Sequence, residues 1–258
     1  MAIKAKWIII FGLLLLFSKP AISSVSATTS HNPGMPALLQ VVITDNITKE
    51  DAAVIIRKAS EMSKKYGGNW KILARLNSSG GSVSASLQIG RILRKVGAMA
   101  VVDKGSVCMS SCVYVLAGAA NRAVDGLIGI HRPYDPDGKE LSESAQKTMY
   151  KKLGADIKAY LAVMNIPTRL YDDALFISPE NVKILSPNEM QAYGLNENDP
   201  YADEADATRA AQKLGVSRKE YASRNAKARQ KCLWDGSDST DSMMQLMDCR
   251  DAIIEGKD

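Results

Sequence analysis

Histidine is nearly absent from this sequence, with two in 258 residues, His31 and His131. His31 falls in a polar, proline-containing stretch near the N-terminus, so His131 is the single imidazole in the region that reads as a folded domain. Cysteine is scarce too, and the spacing of Cys108, Cys112, Cys232 and Cys249 matches no common zinc pattern. No metal is expected. The charge imbalance is slight, 33 Lys and Arg against 28 Asp and Glu, a net +5. That is too little to argue for a nucleic-acid partner. A G-x-x-x-x-G-K-[ST] run is missing, so nucleotide binding is unsupported and no cofactor is implied. No internal repeat is visible. At 46% hydrophobic and 24% charged, the chain can bury a sizeable core, and global disorder is excluded.

Residues 1–27 read as a secretory signal peptide. Lys4 and Lys6 precede an unbroken apolar run of 11 residues, Trp7–Phe17, and Val25-Ser26-Ala27 forms a small-x-small cleavage site. The run is short beside the roughly 20 residues of a membrane-spanning helix; an uncleaved anchor is the alternative. No cysteine follows it, which speaks against a lipidated N-terminus. The expected setting is outside the cytoplasm, in the periplasm or envelope of a bacterium. Disulfides persist in such compartments. Cys232 and Cys249 flank a Gly/Ser/Asp-rich turn and are expected to bridge; Cys108 and Cys112 either bridge or stand as two small buried side chains.

Residues 28–37 read as a flexible N-terminal tail, 38–200 as the main domain, and 201–258 as a basic helical segment with a disulfide hairpin. Leu38–Ile43, Trp70–Leu76, Met99–Val102, Arg122–Val124 and Leu127–His131 have the composition of strands. Between them lie helical patterns. Thr48-x-x-Asp51 resembles a capping box ahead of Ala52, Ile55, Ile56, Ala59 and Met62. Ser82–Val96, Val113–Ala120, Leu141–Met164 and Pro187–Tyr193 complete the set, and Asn77–Gly81 and Pro133–Gly138 read as loops. Strands alternating with helices imply βα units and a mainly parallel sheet.

Three stretches carry residues suited to chemistry. His131 ends an apolar strand, where α/β proteins place ligand-binding groups. Asn77-Ser78-Ser79-Gly80-Gly81-Ser82 joins a strand to a helix, and adjacent glycines there let backbone N–H groups approach an anion or oxyanion. Cys108-Met109-Ser110-Ser111-Cys112 places two serines at the start of a buried helix, as a nucleophile or as an N-cap.

Taken together, these stretches resemble the Clp protease proteolytic subunit and its relatives of the Clp/crotonase fold. Leu76-Asn77-Ser78-Ser79-Gly80-Gly81-Ser82-Val83 looks like that family's oxyanion loop. Cys108-Met109-Ser110-Ser111-Cys112 looks like its nucleophile turn, in the Cys-x-Ser-x-Cys form of exported relatives. Ile128-Gly129-Ile130-His131-Arg132-Pro133 looks like the strand ending in the catalytic histidine. Leu185-Ser186-Pro187-x-Glu189-x-x-x-Tyr193-Gly194-Leu195 looks like the segment that follows the catalytic aspartate. The resemblance covers residues 38–197. It implies an α/β fold of repeated ββα/βα units with a mainly parallel sheet, and a serine endopeptidase. Ser110 would be the nucleophile, with Ser111 the other candidate, and His131 the general base. The N–H groups of Gly81 and Ser111 would form the oxyanion hole. Counting back from Ser186 places Val182 at the aspartate position. Asn181 is the neighbour assigned to it, with Glu180, Asp172 and Asp173 as other candidates and a Ser-His dyad as the alternative. Ser79 stands where the family has Pro.

The implied partners are a peptide or protein substrate and further copies of this chain, with Leu141–Met164 at the subunit contacts. Asp206–Lys231 holds eight bases and two acids. That pattern suits either a solvated helix or peripheral contact with an anionic membrane surface. Two rival functions remain: a catalytically inactive binding or assembly module in the envelope, and an acyl-CoA enzyme of the crotonase type.

Overall fold

The computed structural model describes residues 24–134, 141–233, 236 and 239–257. The signal segment before Ser24, and parts of the 133–138 and 235–241 turns, lie outside the described residues. The chain is a mixed α/β protein with a mostly parallel sheet. Its elements run β1 (Val25–Ser30), β2 (Ala37–Ile47), α1 (Lys49–Tyr66), β3 (Trp70–Gly81), α2 (Val83–Lys95), β4 (Met99–Val102), β5 (Val107–Met109), α3 (Cys112–Gly118), β6 (Asn121–Val124), β7 (Leu127–Ile130), α4 (Glu143–Val163), α5 (Arg169–Ala174), β8 (Lys183–Ile184), α6 (Pro187–Ala192), α7 (Pro200–Lys213), α8 (Arg218–Lys231) and α9 (Thr240–Glu255).

The long strand β3 organises the sheet. One side pairs with β2 throughout; on the other, its first half pairs with β4 and its second half with β5. β6 continues beyond β4, and β7 beyond β5, all in parallel. Among the described residues, only the outer pairings β1–β2 and β7–β8 are antiparallel. Helices cover the sheet through apolar faces at helical spacing. In α1, Ala52, Ile55, Ala59 and Met62 are buried, whereas Ile56 faces solvent. Thr48 and Asp51 form the expected capping box.

Two stretches differ from the sequence reading. Asn77–Gly81 is the end of β3 rather than a loop, because β2 also runs on and pairs Asn46 with Gly80 and Ile47 with Gly81 after a bulge at Asp45. Part of the expected tail, Thr28–Ser30, belongs to β1, which pairs Val25 through Ser30 with Ile43 through Leu38.

After Leu195 the chain is tied back to the main body. The Asn196 side chain both accepts from the Val124 N–H and donates to the Val124 carbonyl, as a strand neighbour would. The buried Asp199 caps α7 and accepts from Arg94 Nη1 at 2.6 Å. Burial raises the Asp199 carboxyl, but Arg94 and the N–H groups of Tyr201 and Ala202 outweigh it and hold it below its ordinary value. Asp199→Ala is expected to cost about 3–5 kcal/mol, since it strands the Arg94 charge. Because the folded carboxyl is depressed, its stabilisation is complete above about pH 4, the unfolded value. It is lost as pH falls through the lower folded value. Urea titrations across that range check both points, with Asp199→Asn removing this part of the slope.

Helices α7, α8 and α9 follow. Arg218 grips Glu204 with two bonds across α7 and α8, Arg224 pairs with Glu220, and Arg209 with Asp206, so several of the bases are engaged within the segment itself. The α8–α9 pair has its own small core of Ala228, Cys232 and Ile253. The Cys232–Cys249 disulfide closes it across a sequence separation of 17. Replacing both cysteines by Ala is expected to destabilise this hairpin by about 3 kcal/mol on loop-entropy grounds. Limited proteolysis should then cut near residue 233 while the sheet domain survives. Among the described residues, no helix is long and apolar enough to cross a membrane.

Candidate active site

Strands β3, β5 and β7 lie side by side and run the same way, so their carboxyl ends deliver Gly80-Gly81, Ser110 and His131 to one edge of the sheet. Adjacent strands are about 4.8 Å apart. Met109 pairs with Gly129, and the Ser110 N–H donates to the Gly129 carbonyl at 2.8 Å. His131 therefore follows one residue beyond the position flanking Ser110.

Ser110 has φ of +54°, the left-handed region that non-glycine side chains seldom enter. The backbone reverses there between β5 and α3, and the turn is held on every side. The Ser110 carbonyl accepts from the Val113 N–H and the Ser111 carbonyl from the Tyr114 N–H. Cys108 and Cys112, both fully buried, are joined in a disulfide across the turn. Of the two alternatives the sequence left open for this pair, the bridge is the one formed.

Gly80 presses on this turn from β3. A Cβ on Gly80 would stand 2.8 Å from both the Met109 carbonyl oxygen and Ser110 Cβ, and its φ is +108°. Only glycine fits. Ser78, fully buried, organises the approach: its hydroxyl donates to the Asp45 carbonyl on β2 and accepts from the Gly80 N–H at 3.1 Å. Ser111 Oγ donates to the Gly81 carbonyl at 3.1 Å, so the two residues assigned to an oxyanion hole are brought together. The Ser111 N–H lies at the start of α3, where helix geometry supplies no acceptor.

His131 is half-buried at the end of β7. Its Nδ1 lies 2.9 Å from the Arg132 carbonyl, which can only accept, so this contact places a proton on Nδ1, and in the neutral ring the lone pair is then on Nε2. No hydrogen bond joins Ser110 to His131 among the described residues; such bonds often tighten only when substrate is bound.

The segment from Ile177 to Leu185 runs back along β7, with Arg132 N–H bonded to the Ile177 carbonyl and Leu185 N–H to the Ile128 carbonyl. Gly129 pairs with Ile184 and Ile130 with Lys183; one step further, this register sets Val182 opposite His131. Val182 and Met109 fill the space a Gly129 side chain would need. The structure does not bring Asn181 to the imidazole: its amide donates to Ser178 Oγ at 2.8 Å. Asp172 pairs with Lys158, and Asp173 accepts from the Tyr193 hydroxyl. Ser186 and Glu189 form a capping box for α6, and Lys183 first, then Ser186, holds the Glu189 carboxyl at about 2. That stretch of the family-like motif therefore builds structure behind the site.

A cleft of about 890 Å³ opens at the opposite end of the strands, beside Trp70, Arg94, Asp199 and Tyr201, and touches neither Ser110 nor His131. Among the described residues, no group of three or more His, Cys, Asp or Glu side chains could hold a metal ion.

Compared with known proteins, the chain matches no family model and no curated protein. Among solved structures it is similar to a mutant of the 1510-N membrane-bound stomatin-specific protease, at 19% identity and a TM-score of 0.43, over 65% of this chain and 82% of that one. A likeness this distant carries no functional argument.

Proposed function

We propose that this protein is an exported serine peptidase that cleaves peptide or protein substrates through an acyl-enzyme on Ser110. The observation that carries the reading is the left-handed Ser110 turn, locked by a disulfide and backed by Gly80, one strand away from His131. A serine kept merely to cap a helix needs no positive φ, and Ser111, not Ser110, is the N-cap of α3. The two disulfides suit an oxidising compartment.

In this reading His131 Nε2 takes the Ser110 hydroxyl proton as Oγ bonds to the scissile carbonyl carbon. The N–H groups of Gly81 and Ser111 receive the oxyanion. The C–N bond then breaks, and the Nε2 proton leaves with the amine. Water, deprotonated by the same Nε2, frees the acyl group and restores Ser110. The Arg132 carbonyl does the orienting work given elsewhere to a carboxylate, so the site acts as a dyad. Asn181 has no part.

Incubation of the oxidised mature protein with a mixed peptide library, read by mass spectrometry, tests this. New termini should appear, and Ser110→Ala should suppress them by at least about 10³-fold. A folded wild-type protein that cuts nothing in any oligomeric state returns the weight to a binding module.

A further inference from the structure

The strand β1 bears on where the leader ends. Val25 and Ala27 pack against the main core, whereas Thr28, Thr29 and Ser30 are exposed. Just before them, the Ser24 hydroxyl donates to Asp51 Oδ2 at 2.8 Å, and Asp51 is fully buried at the start of α1. The same carboxylate oxygen accepts from the Thr48 N–H at 2.7 Å and the Thr48 hydroxyl at 2.9 Å. The Ser24 carbonyl accepts from the Thr44 N–H at 2.9 Å and from the Thr44 hydroxyl at 3.1 Å. Ser24–Ala27 is thus the half of the strand whose side chains engage the fold, while Thr28–Ser30 are held by backbone pairing with β2. A cut after Ala27 would discard that half and keep the exposed one.

Immediately upstream the sequence reads Ala21-Ile22-Ser23, a second small-x-small triplet, closer to the end of the apolar run than Val25-Ser26-Ala27. We infer that the leader is removed between Ser23 and Ser24, so that the mature chain begins with the residue that anchors β1 to Asp51. A membrane-bound signal peptidase supplies the hydrolysis: water adds across the Ser23–Ser24 peptide bond, leaving a carboxylate on Ser23 and an ammonium on Ser24. The new cation forms on the same residue whose hydroxyl already holds the Asp51 carboxylate. Processing and completion of the fold then coincide at one residue. This inference rests on the export reading of the protein and is independent of the peptidase chemistry.

The test is to express the full chain in a secreting bacterium, separate periplasm from cytoplasm, and determine intact mass and N-terminal sequence. An exported chain starting at Ser24 is expected. An exported chain starting at Thr28, or one retaining Met1, overturns the inference while leaving export intact; a chain confined to the cytoplasm overturns both. S23L should slow processing by tenfold or more and A27L should not, and the reverse pattern overturns the assignment. Deleting Ser24–Ala27 behind an intact leader should yield a protein whose thermal midpoint is lower by at least about 4 °C; an unchanged midpoint would contradict the anchoring role.

Discussion

A fluorophosphonate is expected to add once to the oxidised mature protein, on the peptide containing Ser110. Two serines compete for the adduct, and their surroundings separate them. Ser111 is 1% exposed and its hydroxyl proton is committed to the Gly81 carbonyl, so its oxygen is neither accessible nor activated. Ser110 is half-buried, stands on the reversed turn, and follows directly from the strand beside His131. Removal of the imidazole in His131→Ala should slow labelling by about 10²–10⁴-fold, the usual contribution of a positioned base. Asn181→Ala should change it by less than about threefold, because the Asn181 amide serves Ser178. An adduct on Ser111 would move the nucleophile by one residue. No adduct on a demonstrably folded protein would mean that the Ser110 turn is retained for shape, and the basic helices would become the next place to look for function. Labelling that depends strongly on Asn181 would show that the Ile177–Leu185 segment rearranges toward His131 when the site is occupied.

The parts of this site that could be read from the sequence are those where a residue type is scarce or a junction is chemically marked. His131 stood out because little competes with it. The paired glycines marked a place where another backbone comes close, and the two cysteines bracketed the Ser110 turn. The sheet-forming segments with long apolar runs were legible for the same reason that the core is: alternation and helical spacing follow from burial. What escaped notice depends on partners distant in sequence. β5 is three residues, Val107–Met109, too short for any periodicity, and exists because β3 and β7 flank it. Asn77–Gly81 has turn composition, yet pairing with the extended β2 makes it strand. Thr28–Ser30 is polar and looked like tail, but an edge strand needs no apolar side chains on its exposed half. The partner of the His131 ring could not be read by counting, since Nδ1 meets the carbonyl of the next residue, and a carbonyl leaves no mark in a sequence.

Gly118→Ala is expected to be among the most damaging single substitutions in the chain, although it is conservative and lies at the far end of α3 from Ser110. Alanine normally favours a helix interior by about 1 kcal/mol over glycine. Here the added methyl would stand 2.6 Å from the Gly90 carbonyl carbon and overlap the rest of that residue's backbone. On its other side Gly90 is closed by Tyr160, whose hydroxyl donates to the Tyr114 carbonyl at 2.5 Å. Neither helix can retreat, so the overpacking should reach about 3 kcal/mol or more. For a domain of this size that lowers the midpoint by roughly 6–12 °C. Gly68→Ala, where a Cβ meets open space, should stay within about 0.5 kcal/mol and serves as the control. The contact also bears on chemistry. α2 begins directly after Gly81 and Ser82, and α3 directly after Ser110 and Ser111. The two helices thus leave from the Gly80-Gly81 end of β3 and from the Ser110 turn, and their separation is set at the Gly90–Gly118 contact. Gly118→Ala protein held folded at low temperature should therefore label with fluorophosphonate at least about tenfold more slowly, since misplacing reacting groups by about 1 Å is enough to cost that much or more. Normal labelling by a destabilised Gly118→Ala protein would show that the turn is positioned by its disulfide and strand bonds alone, without help from the helices behind it.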